Sequence, residues 1–118
     1  MVYCADSLSL ATLEVMANID DYGLLEKSFS YVPVDIPREC IEFFSIGNLP
    51  KNWDTIVPNE ASMHFGDTWI AQRRSVVLRV PSVITKNESN YLLNPSHSDF
   101  RRLKIGKPER FFLDPRLK

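Results

Sequence analysis

The chain has 118 residues, of which 44% are hydrophobic and 25% charged, with a net charge of −1. That length holds one domain with a single core. The near-neutral balance excludes the basic stripe of a nucleic-acid binder or of a protein drawn to acidic membranes. No apolar run approaches the ~20 residues of a membrane span, and the start lacks the basic end of a signal peptide. The expectation is a cytoplasmic protein whose two cysteines, Cys4 and Cys40, stay reduced and buried.

Residues 2–19, VYCADSLSLATLEVMANI, read as a short strand running straight into a helix. Asp6 or Ser7 can cap that helix, because either side chain accepts hydrogen bonds from the unpaired N–H groups of the first turn. At 100° per residue, Leu8, Ala11, Val15, Met16 and Ile19 fill one face, and Leu10, Leu13 and Ala17 cover most of the opposite one. Between them runs a narrow polar stripe of Ser7, Glu14 and Asn18. A helix apolar nearly all round is expected to be buried. Glu14 is its sole ionisable residue, and a buried carboxylate is costly unless something pairs with it or uses it. It is the leading site candidate; the plainer reading sends it along the stripe into solvent or onto a structural arginine.

The next segments carry mixed signals. Residues 20–28 form a polar connection, and FSYVPVDIP (29–37) is an edge strand or extended segment because Pro33 removes a ladder hydrogen bond. CIEFFSI (40–46) is a better strand, followed by a loop whose Trp53 packs on the core. Asn59 caps a second helix in which Ala61, Phe65 and Trp69 recur at spacing four, ending near residues 72–74. SVVLRV (75–80) is a central strand stopped by Pro81, with Ser82 at its end. NESNYLLNP (87–95) reads as a loop with a short extended piece, His97 falls in a polar turn, and RFFL (110–113) is a last short strand. The order β-α-β-β-α-β-β predicts an α/β or α+β fold with a mixed sheet.

Most standard chemistry is excluded. Cys4 and Cys40, or His64 and His97, lack any zinc-ligand spacing, and no metal is expected. Four glycines form no phosphate loop, and there is no G-x-S-x-G elbow. His64 takes a surface or packing role. What remains is dispersed over Tyr3, Glu14, Ser82, Asn90, Asn94 and His97. Strand ends and the loops after them are where α/β sites collect, which favours Ser82, although serine after proline is also an ordinary turn residue.

VYCADSLSLATLEV, LPKNWD, EASMHFGDTWIAQRRSVVLRVPS, NYLLNPSHSDF and RFFLDPRL together resemble the RES-domain family, the toxins of bacterial RES–Xre toxin–antitoxin pairs. The likeness spans almost the whole chain, and RSVVLRVPS and NYLLNP are its most specific pieces. It implies an ADP-ribosyltransferase-like fold, NAD as substrate and an Xre-type antitoxin as partner, with homodimers typical. Its activity would be cleavage of the nicotinamide–ribose bond, ending in NAD depletion or ADP-ribosyl transfer. By local motif, Glu14 of TLEV resembles the family's glutamate and Ser82 of RVPS its serine. Tyr3 of VYCA resembles the tyrosine lining the nicotinamide pocket, and Asn90 of NYLLNP joins it as a residue expected at the NAD site. Asn18 stands where the family usually has a histidine. The family's arginine belongs to a G-x-R-W-N motif upstream of the VYCA strand. Residues 1–118 are therefore expected to form a single, partial RES-like domain. Arg73, Arg74 and Arg79 have no spacing that ties them to the missing role, a clamp on the dinucleotide's pyrophosphate. The alternative reading is an inactive remnant that only binds its Xre-type antitoxin, and without the upstream arginine no measurable NAD turnover is expected from residues 1–118 alone.

Overall fold

The computed structural model describes residues 1–18, 29–43 and 60–112, together with 114 and 116. The elements are β1 (Val2–Ala5), α1 (Leu8–Asn18), β2 (Phe29–Tyr31), β3 (Val34–Asp35), β4 (Ile41–Phe43), α2 (Glu60–Gln72), β5 (Val77–Pro81), β6 (Ser89–Leu93), β7 (Lys104–Ile105) and β8 (Glu109–Phe111). A four-stranded sheet has the order β1-β6-β5-β4, and β2/β8 and β3/β7 form two-stranded ribbons. β6 runs antiparallel to both β1 and β5, whereas β4 and β5 are parallel. Parallel neighbours need a long crossover, and α2 lies between them in sequence. This is the mixed-sheet α+β architecture that the sequence predicts.

Side chains on β5 and β6 alternate between two apolar clusters, as a period-two pleat requires. Val77 and Leu93, paired across the ladder, join Val76, Cys40 and Leu103 on one face. Leu78 and Leu92, also paired, meet Trp69 of α2 on the other. Trp69 is 1% exposed, and truncating a buried tryptophan costs about 3–5 kcal/mol. Its indole N–H donates to Ser75 Oγ at 2.9 Å. Ser75 in turn donates to Glu42 Oε2 at 2.7 Å, and Arg74 closes the cluster on Glu42 at 3.0 Å.

Several expectations change. Residues 89–93, read as part of a loop with only a short extended piece, form β6, a strand paired on both sides. Flanking asparagines suggest turns, but the register across β1 and β5 buries Leu92 and Leu93 and overrides that local signal. Pro81 ends β5 from within, where no following ladder bond needs its N–H. Helix α1 is not buried all round. Leu10 is 0% exposed, but Leu8 and Leu13 are 41% and 40% exposed, because the sheet covers one side of the helix. Cys40 is buried and Cys4 half-buried, and both thiols are free. The 20–28 connection, Trp53, the Asn59 cap, residues 44–46 and the side chains of Asn18, Ala61 and His64 lie outside the described residues. Among the described residues, no helix is long and apolar enough to cross a membrane.

Candidate active site

Helix α1 begins at a Ser7 cap rather than an Asp6 cap: Ser7 Oγ accepts from the Leu10 N–H at 3.1 Å. Asp6 is used across the sheet, where its carboxylate accepts from Ser89 N and the Tyr91 hydroxyl, both at 2.7 Å. Burial first, and then that hydrogen bond and the Asp6 charge, push the Tyr91 phenol above its usual 10.0; Arg79 opposes them. The cap fixes the helix's rotation. Ser7, Leu10 and Glu14, at spacings of three and four, then share a face. Ser7 and Glu14 of the polar stripe thus share the inward side with Leu10, which is fully buried.

Glu14 meets two neutral donors. Ser82 Oγ donates to Glu14 Oε1 at 3.0 Å, and Asn90 Nδ2 donates to the same oxygen at 2.8 Å. Ser82 is 0% exposed, and its Oγ accepts from the N–H groups of Ile84 at 3.1 Å and Thr85 at 3.2 Å. With two N–H groups filling its acceptor side, the hydroxyl proton is directed at the carboxylate. Strand β6 brings Asn90 there because its register opposes Ala5 and Val80. The sequence suggested Asn90 as an NAD-site residue; the structure shows its amide held against Glu14.

Glu14 and Asn90 line a pocket of about 370 Å³ with Tyr3, Cys4, Ala5, Ala11 and Val15. Tyr3, 70% exposed, is one of these lining residues. Burial raises the Cys4 thiol above its usual 9.0, so it is a neutral wall group. A second hollow of about 620 Å³ shares Tyr3, Cys4, Ala5, Ala11 and Val15, and its remaining wall includes Phe29, Tyr31, Tyr91 and Phe111. Among the described residues, no three His, Cys, Asp or Glu gather as a metal site would need.

The other candidates have structural posts. Asn94, 2% exposed, shapes a turn: its Oδ1 accepts from Ser96 N at 3.1 Å, and its N–H donates to Val76 O. His97 Nδ1 accepts from Asp99 N at 3.0 Å, so Nε2 carries the proton and donates to Arg73 O at 3.1 Å. Arg73 follows α2 in the left-handed region, with φ 51°. Arg74 pairs with Glu42. Arg79 opposes Tyr91, one register position from Asn90 and so on the other face of the sheet. There its Nε donates to Ser89 Oγ at 3.0 Å, and its guanidinium lies 5.2 Å from the Phe43 ring centroid.

The RES domain family model matches residues 1–114. A "Prs ADP-ribosylating toxin" from Sphingobium sp. (strain YBL2) is 36% identical over 120 residues, covering 99% of this chain and 74% of that protein. A "Toxin Res" from Photorhabdus laumondii subsp. laumondii is 38% identical over 98% of this chain and 74% of its own length. Another "Toxin Res", from Yersinia enterocolitica, is 35% identical over 99% of this chain and 77% of its own. With that match over nearly its full length, the chain belongs to the RES domain family.

Proposed function

We propose that this protein is the NAD-acting toxin of a toxin–antitoxin pair and that it cleaves the nicotinamide–ribose bond. The observation that carries this reading is the Glu14 carboxylate, oriented by Ser82 and Asn90 on the wall of a pocket that also holds Tyr3. Breaking the bond sends its electron pair to the ring nitrogen, which leaves neutral and needs no general acid. The sugar is left with oxocarbenium character, as in glycoside hydrolysis. Glu14 holds the ribose hydroxyls and stabilises the developing positive charge. Ser82 and Asn90 keep that carboxylate in place before the substrate arrives, and Tyr3 stacks on the departing ring. The adjoining hollow offers room for the rest of the dinucleotide. The freed ADP-ribosyl group passes to water, phosphate or a protein side chain. The names of the relatives support the toxin role; in this reading the partner is an Xre-type antitoxin and the substrate is the cytoplasmic NAD pool.

The test is release of free nicotinamide from NAD. Against the expectation drawn from the upstream arginine, this reading predicts turnover by the wild-type chain that Glu14→Gln abolishes. Wild-type protein that binds an Xre-type antitoxin yet releases no nicotinamide would support the inactive reading instead.

A further inference from the structure

The Ser82–Glu14 bond joins two elements that are distant in sequence, and residues 82–88 between β5 and β6 form a closed turn around the serine. The Ser82 N–H donates to Glu88 O at 2.9 Å, and the Glu88 N–H donates to Thr85 O at 3.0 Å. The Thr85 hydroxyl donates to Glu88 Oε1 at 3.3 Å. The other carboxylate oxygen faces a different element: Ser7 Oγ donates to Glu88 Oε2 at 3.0 Å while accepting from the Leu10 N–H. Helix α1 has no acidic residue in its own first turn. Glu88 therefore supplies, from across the fold, the negative charge that a helix N-terminus favours.

We infer that Glu88 is a positioning residue for this site. Its carboxylate grips the cap of the helix that carries Glu14, about two turns further on, and the same residue closes the turn that carries Ser82. It thereby sets how far α1 sits from that turn. Glu88 does not line the pocket beside Glu14; it acts through Glu14 and Ser82 and touches no substrate. A glutamine at 88 retains an oxygen for Ser7, whereas an alanine loses both grips but keeps the backbone bonds.

The inference rests on the proposed NAD chemistry, and its test separates the two. Steady-state nicotinamide release is compared for wild type, Glu88→Gln, Glu88→Ala, Ser82→Ala and the Glu88→Ala/Ser82→Ala double variant, well below each melting temperature. The expected result is a kcat lower by up to about tenfold in Glu88→Ala, with KM for NAD within about twofold and near-wild-type kcat in Glu88→Gln. In the Ser82→Ala background the same change has little further effect, because the group it positions is gone. An unchanged kcat in Glu88→Ala, or a full additive loss in the double variant, overturns the inference while leaving the Glu14 chemistry intact. Should Glu88→Ala fail to fold, Ser7→Ala cuts the same link and must lower kcat with KM held. Should the wild type release no nicotinamide, the NAD reading fails alone. The positioning claim is then decided by a crystal structure of Glu88→Ala: a lengthened Ser82–Glu14 distance supports it, and a retained 3.0 Å bond overturns it.

Discussion

Two serine–glutamate pairs stand in this small fold, and they do different work. Ser75 donates to Glu42 at 2.7 Å, and Ser82 donates to Glu14 at 3.0 Å. Around Glu42 the network closes, since Arg74 neutralises the carboxylate and the Trp69 indole feeds Ser75 from the core. Around Glu14, Ser82 and Asn90 both donate to one carboxylate oxygen, and the residue lines a pocket whose wall also includes the exposed Tyr3. The sequence left Glu14 open to solvent, to a structural arginine or to work as a reacting group, and an arginine partner is what Glu42 has. A serine–carboxylate pair therefore says little about function until the space beside it is known.

The largest contrast should come from the carboxylates themselves. Glu14→Gln is expected to lower kcat for nicotinamide release by about a hundredfold or more, with little change in melting temperature. Glu42→Ala should do the reverse, leaving turnover alone and destabilising the fold by about 1–3 kcal/mol, because the Ser75 hydroxyl loses its acceptor. Equal kinetic losses in the two variants would erase the distinction. Next come the serines. Ser82→Ala is expected to cut turnover about tenfold and also cost stability, since Glu14 and the N–H groups of Ile84 and Thr85 lose a partner. Ser75→Ala should affect thermal or urea unfolding alone. Tyr3, 70% exposed, sharpens the pocket side: Tyr3→Ala should raise KM for NAD several-fold, consistent with loss of ~0.5–1.5 kcal/mol of ring stacking. Tyr3→Phe should behave as wild type.

Two smaller effects lie outside both pairs. The Tyr91 phenol is raised above 10.0 in the folded protein. The native state therefore holds this proton more tightly than the unfolded chain. Its stabilisation is full below pH 10 and is lost as pH rises through the folded value. Urea midpoints measured between pH 9 and 11 should fall less steeply for Tyr91→Phe than for wild type. Arg73, left-handed at φ 51°, should gain about 0.5–1 kcal/mol on replacement by glycine, read as a rise of a few degrees in melting temperature.

Local signals made much of this legible. Polar–apolar spacing shows α1 and its lone acid, the 61–65–69 repeat shows α2, and the apolar run before Pro81 shows β5, with Ser82 at its end. What stayed hidden depends on contacts distant in sequence. The apolar faces of α1 outnumber its polar stripe, so periodicity alone predicts burial all round; the contacts of Ser7 and Glu14 with Ser82, Glu88 and Asn90 have no local signal. β6 is hidden because its first residues are polar and its strand character comes from two flanking ladders. Glu88 carries no local signal, since its partner Ser7 is 81 residues away.

The central claim is that Glu14, held by Ser82 and Asn90, receives the nicotinamide ribose. A crystal structure with a non-cleavable NAD analogue, such as one with a carbocyclic ribose, tests this most directly. The account predicts ribose hydroxyls within hydrogen-bond distance of Glu14 and the nicotinamide ring against Tyr3. An analogue bound elsewhere, with the Glu14 carboxylate touching only protein, would contradict it.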